Sequence, residues 1–262
     1  MGVAQVHKAR LAYFIAVTNA SPARDSAPWR VEFLDAVGST NDEVVSRAAA
    51  GALPGLVIAT TNQTAGHGRL GRAWVSPSGT GLAMSALVQP PTREWALMPL
   101  LAGLAVESSL RKLGVPCSLK WPNDIQIDGL KVAGVLCRAL GDAVVVGIGI
   151  NTHMSSDNLP TPTSTSLSLH GVDADIPELL HSILTDLAQR MDDWRHDGVG
   201  VIVAEYRTLC STIGMDVRVE LPVNQLSGIA RGIADDGALI VEANGELHEV
   251  AAGDVIHVRP AG

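Results

Sequence analysis

The stretch SLKWPNDIQIDGLKVAGVLCRALGDAVVVGIGIN, residues 118–151, decides the fold. It contains four short apolar or alternating runs, SLKW, IQID, LKVAGVLCRAL and AVVVGIGIN, separated by PND, by Asp128-Gly129 and by Gly141-Asp142. Runs of this length bounded by turn residues are strands, and an Asp-Gly pair between two of them signals a hairpin, because a tight hairpin turn needs positive φ there. Four such runs in succession make the middle of the chain dense in strands.

Upstream, WRVEFLDAV (29–37), LVIATTNQ (56–63) and GLAMSALVQ (81–89) read as further strands. Between the first two, GSTNDEVVSRAAAG opens a helix, with Ser39 or Thr40 as N-cap and Glu43 in its first turn. An Ala- and Leu-rich helix is expected from about Met98 to Leu113. Residues 151–165 turn to Thr, Ser, Pro and Asn, a long polar loop of the kind that often serves as a lid or binding segment. Helices then follow from about Pro177 to Arg195 and again from Gly200 to Thr208.

The last fifty residues hold five closely spaced strands, MDVRVELP, LSGIARGIA, ALIVEA, ELHEVA and VIHVR, which predict a small closed barrel. At the other end, Lys8 and Arg10 precede LAYFIAV, read as an amphipathic helix from about His7 to Val17 rather than a secretory signal. The expected class is α+β, in three parts: an N-terminal helix and linker (1–28), a mixed-sheet domain (29–210) and a C-terminal β-barrel (211–262).

The 262 residues carry 19 Lys and Arg against 27 Asp and Glu, so a non-specific grip on nucleic acid is excluded unless positive charge is focused in one place. No apolar run is long enough to span a membrane. Three cysteines, without paired metal-ligand spacing, argue against a disulfide framework or a zinc site and fit a reducing cytoplasm.

Such a focus of charge is TAGHGRLGRAW, residues 64–74. Glycines let a backbone bend and approach a ligand closely, and arginines are forked cationic donors for phosphate or carboxylate. The loop lacks a Walker ending, and a strand rather than a helix follows it, which removes the two common nucleotide fingerprints. KWPND places Lys120, an aromatic ring, a backbone-fixing proline and Asp124 at a strand end, a set suited to phosphate contact and magnesium coordination. Lys131 lies beside Gly134 amid apolar neighbours, and GIGIN ends a strand with two glycines and Asn151, where a ring or a phosphate can approach the backbone.

Taken in order, GSTN, QTAGHGRLGRAW, KWPND, GLKVAGVL and GIGIN resemble the biotin protein ligase family, over about Trp29 to His170. The C-terminal strands resemble that family's SH3-like domain. The resemblance implies that biotin's carboxylate attacks the α-phosphate of ATP to give biotinyl-5′-adenylate and pyrophosphate. A lysine of a biotin carboxyl carrier protein domain then takes the biotinyl group and releases AMP.

The resemblance further implies a biotin site of Ser39, Thr40, Asn41, Gln63, His67, Gly68, Arg69, Lys131 and Gly134. It implies an ATP site of Arg69, Arg72, Trp74, Lys120, Asn123, Lys131 and Asn151. Lys131, Arg69 and Asp124 are the implied catalytic group. Asp124 either holds Mg2+ or helps receive a proton, or else simply pairs with Lys120. Gly66, Gly68 and Gly71 are the expected hinges, and Trp74 packs the closed loop.

Two departures stand out. His67 occupies a position where relatives often carry arginine, replacing a fixed charge with a titratable one. The polar loop has no tryptophan to cover an adenine. Only some thirty residues precede the first catalytic strand, so no operator-binding module is expected, and no nucleic acid or membrane partner. A monomer or homodimer is expected. The alternatives are a lipoate or octanoate ligase or transferase of the same fold, and a non-catalytic biotin sensor.

Overall fold

The computed structural model describes residues 13–16, 29–221, 225–251 and 253–257. Its strands are β1 (Tyr13–Ala16), β2 (Arg30–Phe33), β3 (Leu56–Thr60), β4 (Gly66–His67), β5 (Ala73–Trp74), β6 (Gly81–Val88), β7 (Ser118–Lys120), β8 (Asp124–Ile127), β9 (Leu130–Leu140) and β10 (Ala143–Asn151). Eight of these form one sheet in the order β1-β2-β3-β6-β10-β9-β8-β7, while β4 and β5 pair separately. The β2–β3 pair is parallel and all others in the large sheet are antiparallel, which makes it the mixed sheet expected.

Alternation sorts side chains to two faces. Val57, Met84, Val146 and Ile148 face the main core with the helices α2 (Met98–Lys112), α3 (Ile176–Asp197) and α4 (Gly200–Leu209). Ile58, Leu87 and Val145 face the other way, with Leu34 and with Val44 of α1 (Thr40–Ala49). A ten-residue helix covers only part of that second face. On the remainder β9 and β10 present Gly134, Gly147 and Gly149. The sheet therefore has a floor without side chains beside the N-terminus of α1.

The remaining strands, β11 (Asp216–Glu220), β12 (Gln225–Ile233), β13 (Leu239–Ala243), β14 (Glu246–Val250) and β15 (Asp254–His257), form an antiparallel sheet in the order β14-β13-β12-β11-β15. Its pairings, among the described residues, run from one end strand to the other without joining β14 to β15.

One expectation is overturned. Tyr13–Ala16 is not part of a helix but a strand paired antiparallel with β2. Tyr, Phe and Ile suit a pleated strand, and the unpaired edge of β2 supplies the partner that a sequence pattern cannot show. The rest of the expected helix lies outside the described residues.

Candidate active site

The glycine floor, the N-terminus of α1, the 64–74 loop, the β7–β8 turn, the polar loop and one edge of the C-terminal sheet enclose a single cavity of about 850 Å3. Every residue singled out from the sequence as a biotin, ATP or metal contact lines it. Four lining side chains, Lys120, Lys131, Arg69 and Arg72, are basic, and among the described residues Asp124 is the one carboxylate. An acidic protein thus concentrates positive charge in this cavity, where low-dielectric walls strengthen the field.

Lys131 reaches this cavity because of an irregularity. Asp124 pairs with Gly134 and Ile125 with Ala133, but Gln126 pairs with Lys131, so β9 carries one extra residue. Strict alternation would put residues 131 and 134 on opposite faces, and the bulge returns Lys131 to the face of Gly134. There its Nζ stands 2.6 Å from Asp124 Oδ1 and 5.6 Å from the centre of the Trp74 ring. The ion pair of Asp124 anticipated with Lys120 is therefore made with Lys131. The polar loop is stitched to the same lysine: Lys131 N donates to Thr163 O at 2.8 Å and Thr165 N donates to Lys131 O at 2.8 Å. Asn151 Nδ2 donates to Thr165 O at 2.9 Å.

Trp74 lies on the floor, so close to Gly149 that a β-carbon there would collide with the indole, and one at Gly134 would come within 3.2 Å of it. Asn41 occupies the equivalent space above Gly147. Behind this end sits a polar network. Ser85 Oγ lies 2.7 Å from Thr40 Oγ1 and 2.9 Å from Asn41 Oδ1, and Asn41 Nδ2 donates to Leu136 O at 3.2 Å. Thr40 N donates to Gln63 Oε1 at 2.8 Å. Ser39 caps α1 by accepting from Asp42 N at 3.3 Å, and it also lines the cavity. Ser85 was not singled out from the sequence. A lone hydroxyl in a strand whose eight positions are all buried was the available signal.

In the 64–74 loop, Arg69 Nη1 donates to Asn123 Oδ1 at 3.2 Å and Nη2 to Gly253 O at 3.1 Å, tying the loop to the KWPND turn and to the C-terminal sheet. Gly71 has φ +74° and Leu70 φ 54°, both left-handed. Gly66 is a place of close packing rather than a free hinge, because a β-carbon there would collide with the Gln63 carboxamide. His67 Nε2 meets Asp42 Oδ2 at 2.9 Å on the rim, and Arg138 Nη1 stands 3.5 Å from the same carboxylate. Neither Asp42 nor Arg138 was foreseen.

Trp121 is corrected in role. It does not line the cavity but is buried at the joint with the C-terminal sheet, where its Nε1 donates to Gly237 O at 2.9 Å and its N to Thr212 Oγ1 at 3.0 Å. His257, also unforeseen, lines the cavity from the C-terminal sheet and shares Thr212 Oγ1 at 3.1 Å. Burial, reinforced by the charge of Lys120, lowers its pKa. Burial also pushes the Cys117 and Cys137 thiols up to about 12, which disfavours the thiolate form.

Comparison with known proteins points one way. Residues 37–155 match the model of the biotin/lipoate A/B protein ligase family, and residues 212–258 match that of the biotin protein ligase C-terminal domain. The chain is 39% identical over 242 residues to the biotin–[acetyl-CoA-carboxylase] ligase of Mycobacterium tuberculosis, covering 88% of this chain and 90% of that one. It is 30% identical over 237 residues to the bifunctional ligase/repressor BirA of Escherichia coli, covering 86% of this chain and 73% of that one. The biotin protein ligase from Aquifex aeolicus in complex with biotin and ATP superposes with a TM-score of 0.77 at 27% identity, covering 87% of this chain and 98% of that one.

Proposed function

Since the chain belongs to the biotin protein ligase family and is a biotin ligase, we propose that its cavity joins biotin to ATP and passes the biotinyl group to a carrier lysine. In the first step an oxygen of biotin's carboxylate attacks the α-phosphorus, the bond to the β-phosphate breaks, and pyrophosphate leaves. In the second step the uncharged amine of a lysine on a biotin carboxyl carrier protein domain attacks the biotinyl carbonyl. The mixed anhydride breaks, AMP leaves, and the amine's proton departs.

The observation that carries this reading is that Lys131, Asp124, Arg69 and the glycine floor converge in one cationic cavity. A carboxylate and a triphosphate repel each other, and fixed cations between them offset the charge that grows as oxygen meets phosphorus. Lys131 is the group for that position. The polar face of Ser39, Thr40, Asn41 and Gln63 takes biotin's ureido ring, whose donors and acceptors it complements. His67 and Gly68 border that end. Arg72, Lys120, Asn123 and Asn151 serve the nucleotide, and Trp74 divides the two ends. Arg69, latched to Asn123 and Gly253, holds the loop over the adenylate and keeps water from it.

Magnesium fits only as an ion carried in by the nucleotide. Among the described residues no cluster of three metal-ligating side chains exists, but one carboxylate plus substrate phosphates is a usual magnesium environment, and Asp124 is that carboxylate. When bound, the ion would neutralise phosphate charge. We read the C-terminal sheet as the family's SH3-like barrel, residues 29–210 as the catalytic domain and the reducing cytoplasm as the compartment.

The test is biotin-dependent exchange of pyrophosphate into ATP, followed by mass spectrometry of a carrier domain incubated with the protein, biotin, ATP and magnesium. Exchange with biotin and its loss in Lys131→Ala are expected. Exchange with lipoate instead of biotin would assign the lipoate reading.

A further inference from the structure

We propose that Asp124 is the resting counter-ion of Lys131, displaced by the carboxylate of the incoming substrate, so that substrate capture exchanges one carboxylate for another on the same ammonium. This rests on the reading of the cavity as the biotin-activating site.

The ammonium is held from three sides. A β-carbon at Gly134 would lie 3.1 Å from both Lys131 Cε and Nζ, so the side chain is folded flat over the glycine. The Trp74 ring stands to one side, its centre 5.6 Å away, and Asp124 Oδ1 closes the remaining direction at 2.6 Å. The two side chains are only 32% and 22% exposed. A charge withdrawn this far from water needs a partner, and removing one member of such a pair leaves the other uncompensated. Before substrate arrives, Asp124 is the partner.

A substrate carboxylate needs the same ammonium. Two carboxylates against one cation repel each other, so both cannot keep full contact with Lys131. Displaced from Lys131, the Asp124 side chain, already 22% exposed, turns toward the open cavity that it lines.

The consequence is selectivity. Asp124 is tethered beside Lys131, so its effective concentration is far above that of any dissolved anion. A simple fatty acid or acetate offers only its charge and loses this competition. An acid whose ring is also held at the Ser39–Asn41 end gains enough from those contacts to displace the resident carboxylate. The site thus refuses carboxylates that bring nothing but a carboxylate.

Calorimetric titration of the wild type, Asp124→Asn and Asp124→Glu, without nucleotide, with biotin, biotin amide and pentanoate tests this. Asp124→Asn is expected to bind biotin about fivefold more tightly, the equivalent of releasing an ion pair of about 1 kcal/mol. It should also acquire measurable affinity for pentanoate, while biotin amide, which has no carboxylate, binds both proteins alike. Asp124→Glu, which restores the charge, should follow the wild type and shows that the effect is not a loss of folding. Equal or weaker binding of biotin to Asp124→Asn overturns the proposal, as does an equal gain for the amide. A wild type that binds no biotin overturns the reading of the site itself, a distinguishable outcome.

Discussion

A β-carbon at Gly149 would run into the indole of Trp74, and one at Gly147 into the carboxamide of Asn41. These glycines are read for missing side chains rather than for unusual backbone angles, since each lies in a regular strand. Gly149→Ala is therefore an overpacking change, expected to cost about 1–3 kcal/mol locally and to drive Trp74 off the floor. Adenylate formation should fall at least about tenfold, and the double variant with Trp74→Ala should be no worse than Trp74→Ala alone, because the two share one contact. Additive losses would show that the contact is not what matters. For Arg69→Gly the expectation is different: the adenylate still forms but escapes, as the bonds to Asn123 and Gly253 are lost. Chromatography of free biotinyl-AMP checks it, and no increase over the parent would sink the clasp model. That Lys131, Arg69 and Asp124 belong to one site was legible in the sequence, and all three line the cavity. The same was not legible for Ser85, Asp42 or His257, whose roles depend on neighbours 40 or more residues away or on another element.

Among elements, the strands and helices follow their patterns closely because local propensity and alternation agree with burial. Met98–Lys112 and Gly200–Leu209 begin where their sequences indicate. Alternation fails where an element depends on a partner. The β9 bulge that turns Lys131 into the cavity leaves no signature in GLKVAGVL, since a shift of register is a property of two strands. The Tyr13–Ala16 strand fails as a helix for the same reason. Within α2, Glu107 is buried with its Oε2 unpartnered, its Oε1 standing 3.3 Å from Arg111 Nε. Burial raises its pKa above the ordinary 4.5. The folded protein thus holds a proton that the unfolded chain releases, so stability falls as pH rises from about 4.5 through the raised value. Glu107→Gln should melt higher than the wild type at neutral pH, with the difference shrinking as pH is lowered to 4.5 and below. A gap that does not change with pH would contradict this account.

At the scale of the whole molecule, the C-terminal sheet completes the cavity instead of hanging beside it. Thr212 accepts from Trp121 N, shares a hydrogen with His257, and so joins the KWPND turn to β15. Thr212→Val would leave the buried Trp121 N–H without an acceptor, at about 1–3 kcal/mol, and should weaken nucleotide binding more than biotin binding, as measured by titration with each ligand. His257 adds a pH term of stated sign. Its lowered pKa means that protonation is resisted in the fold, so the stability is complete above the ordinary value of 6.5 and is lost as pH falls below it toward the lowered value. His257→Gln should flatten the melting temperature between neutral pH and pH 5, as seen by calorimetry.

Element types, the order of motifs and the chemical class of the site followed from the sequence alone, because strand periodicity, turn residues and the charge of a short loop are local facts. Which side of the sheet is a cavity, which carboxylate faces Lys131 and how the C-terminal sheet closes the site were decided only in three dimensions. Each of these depends on register and on packing between distant segments, where one extra residue in β9 exchanges one face of a strand for the other.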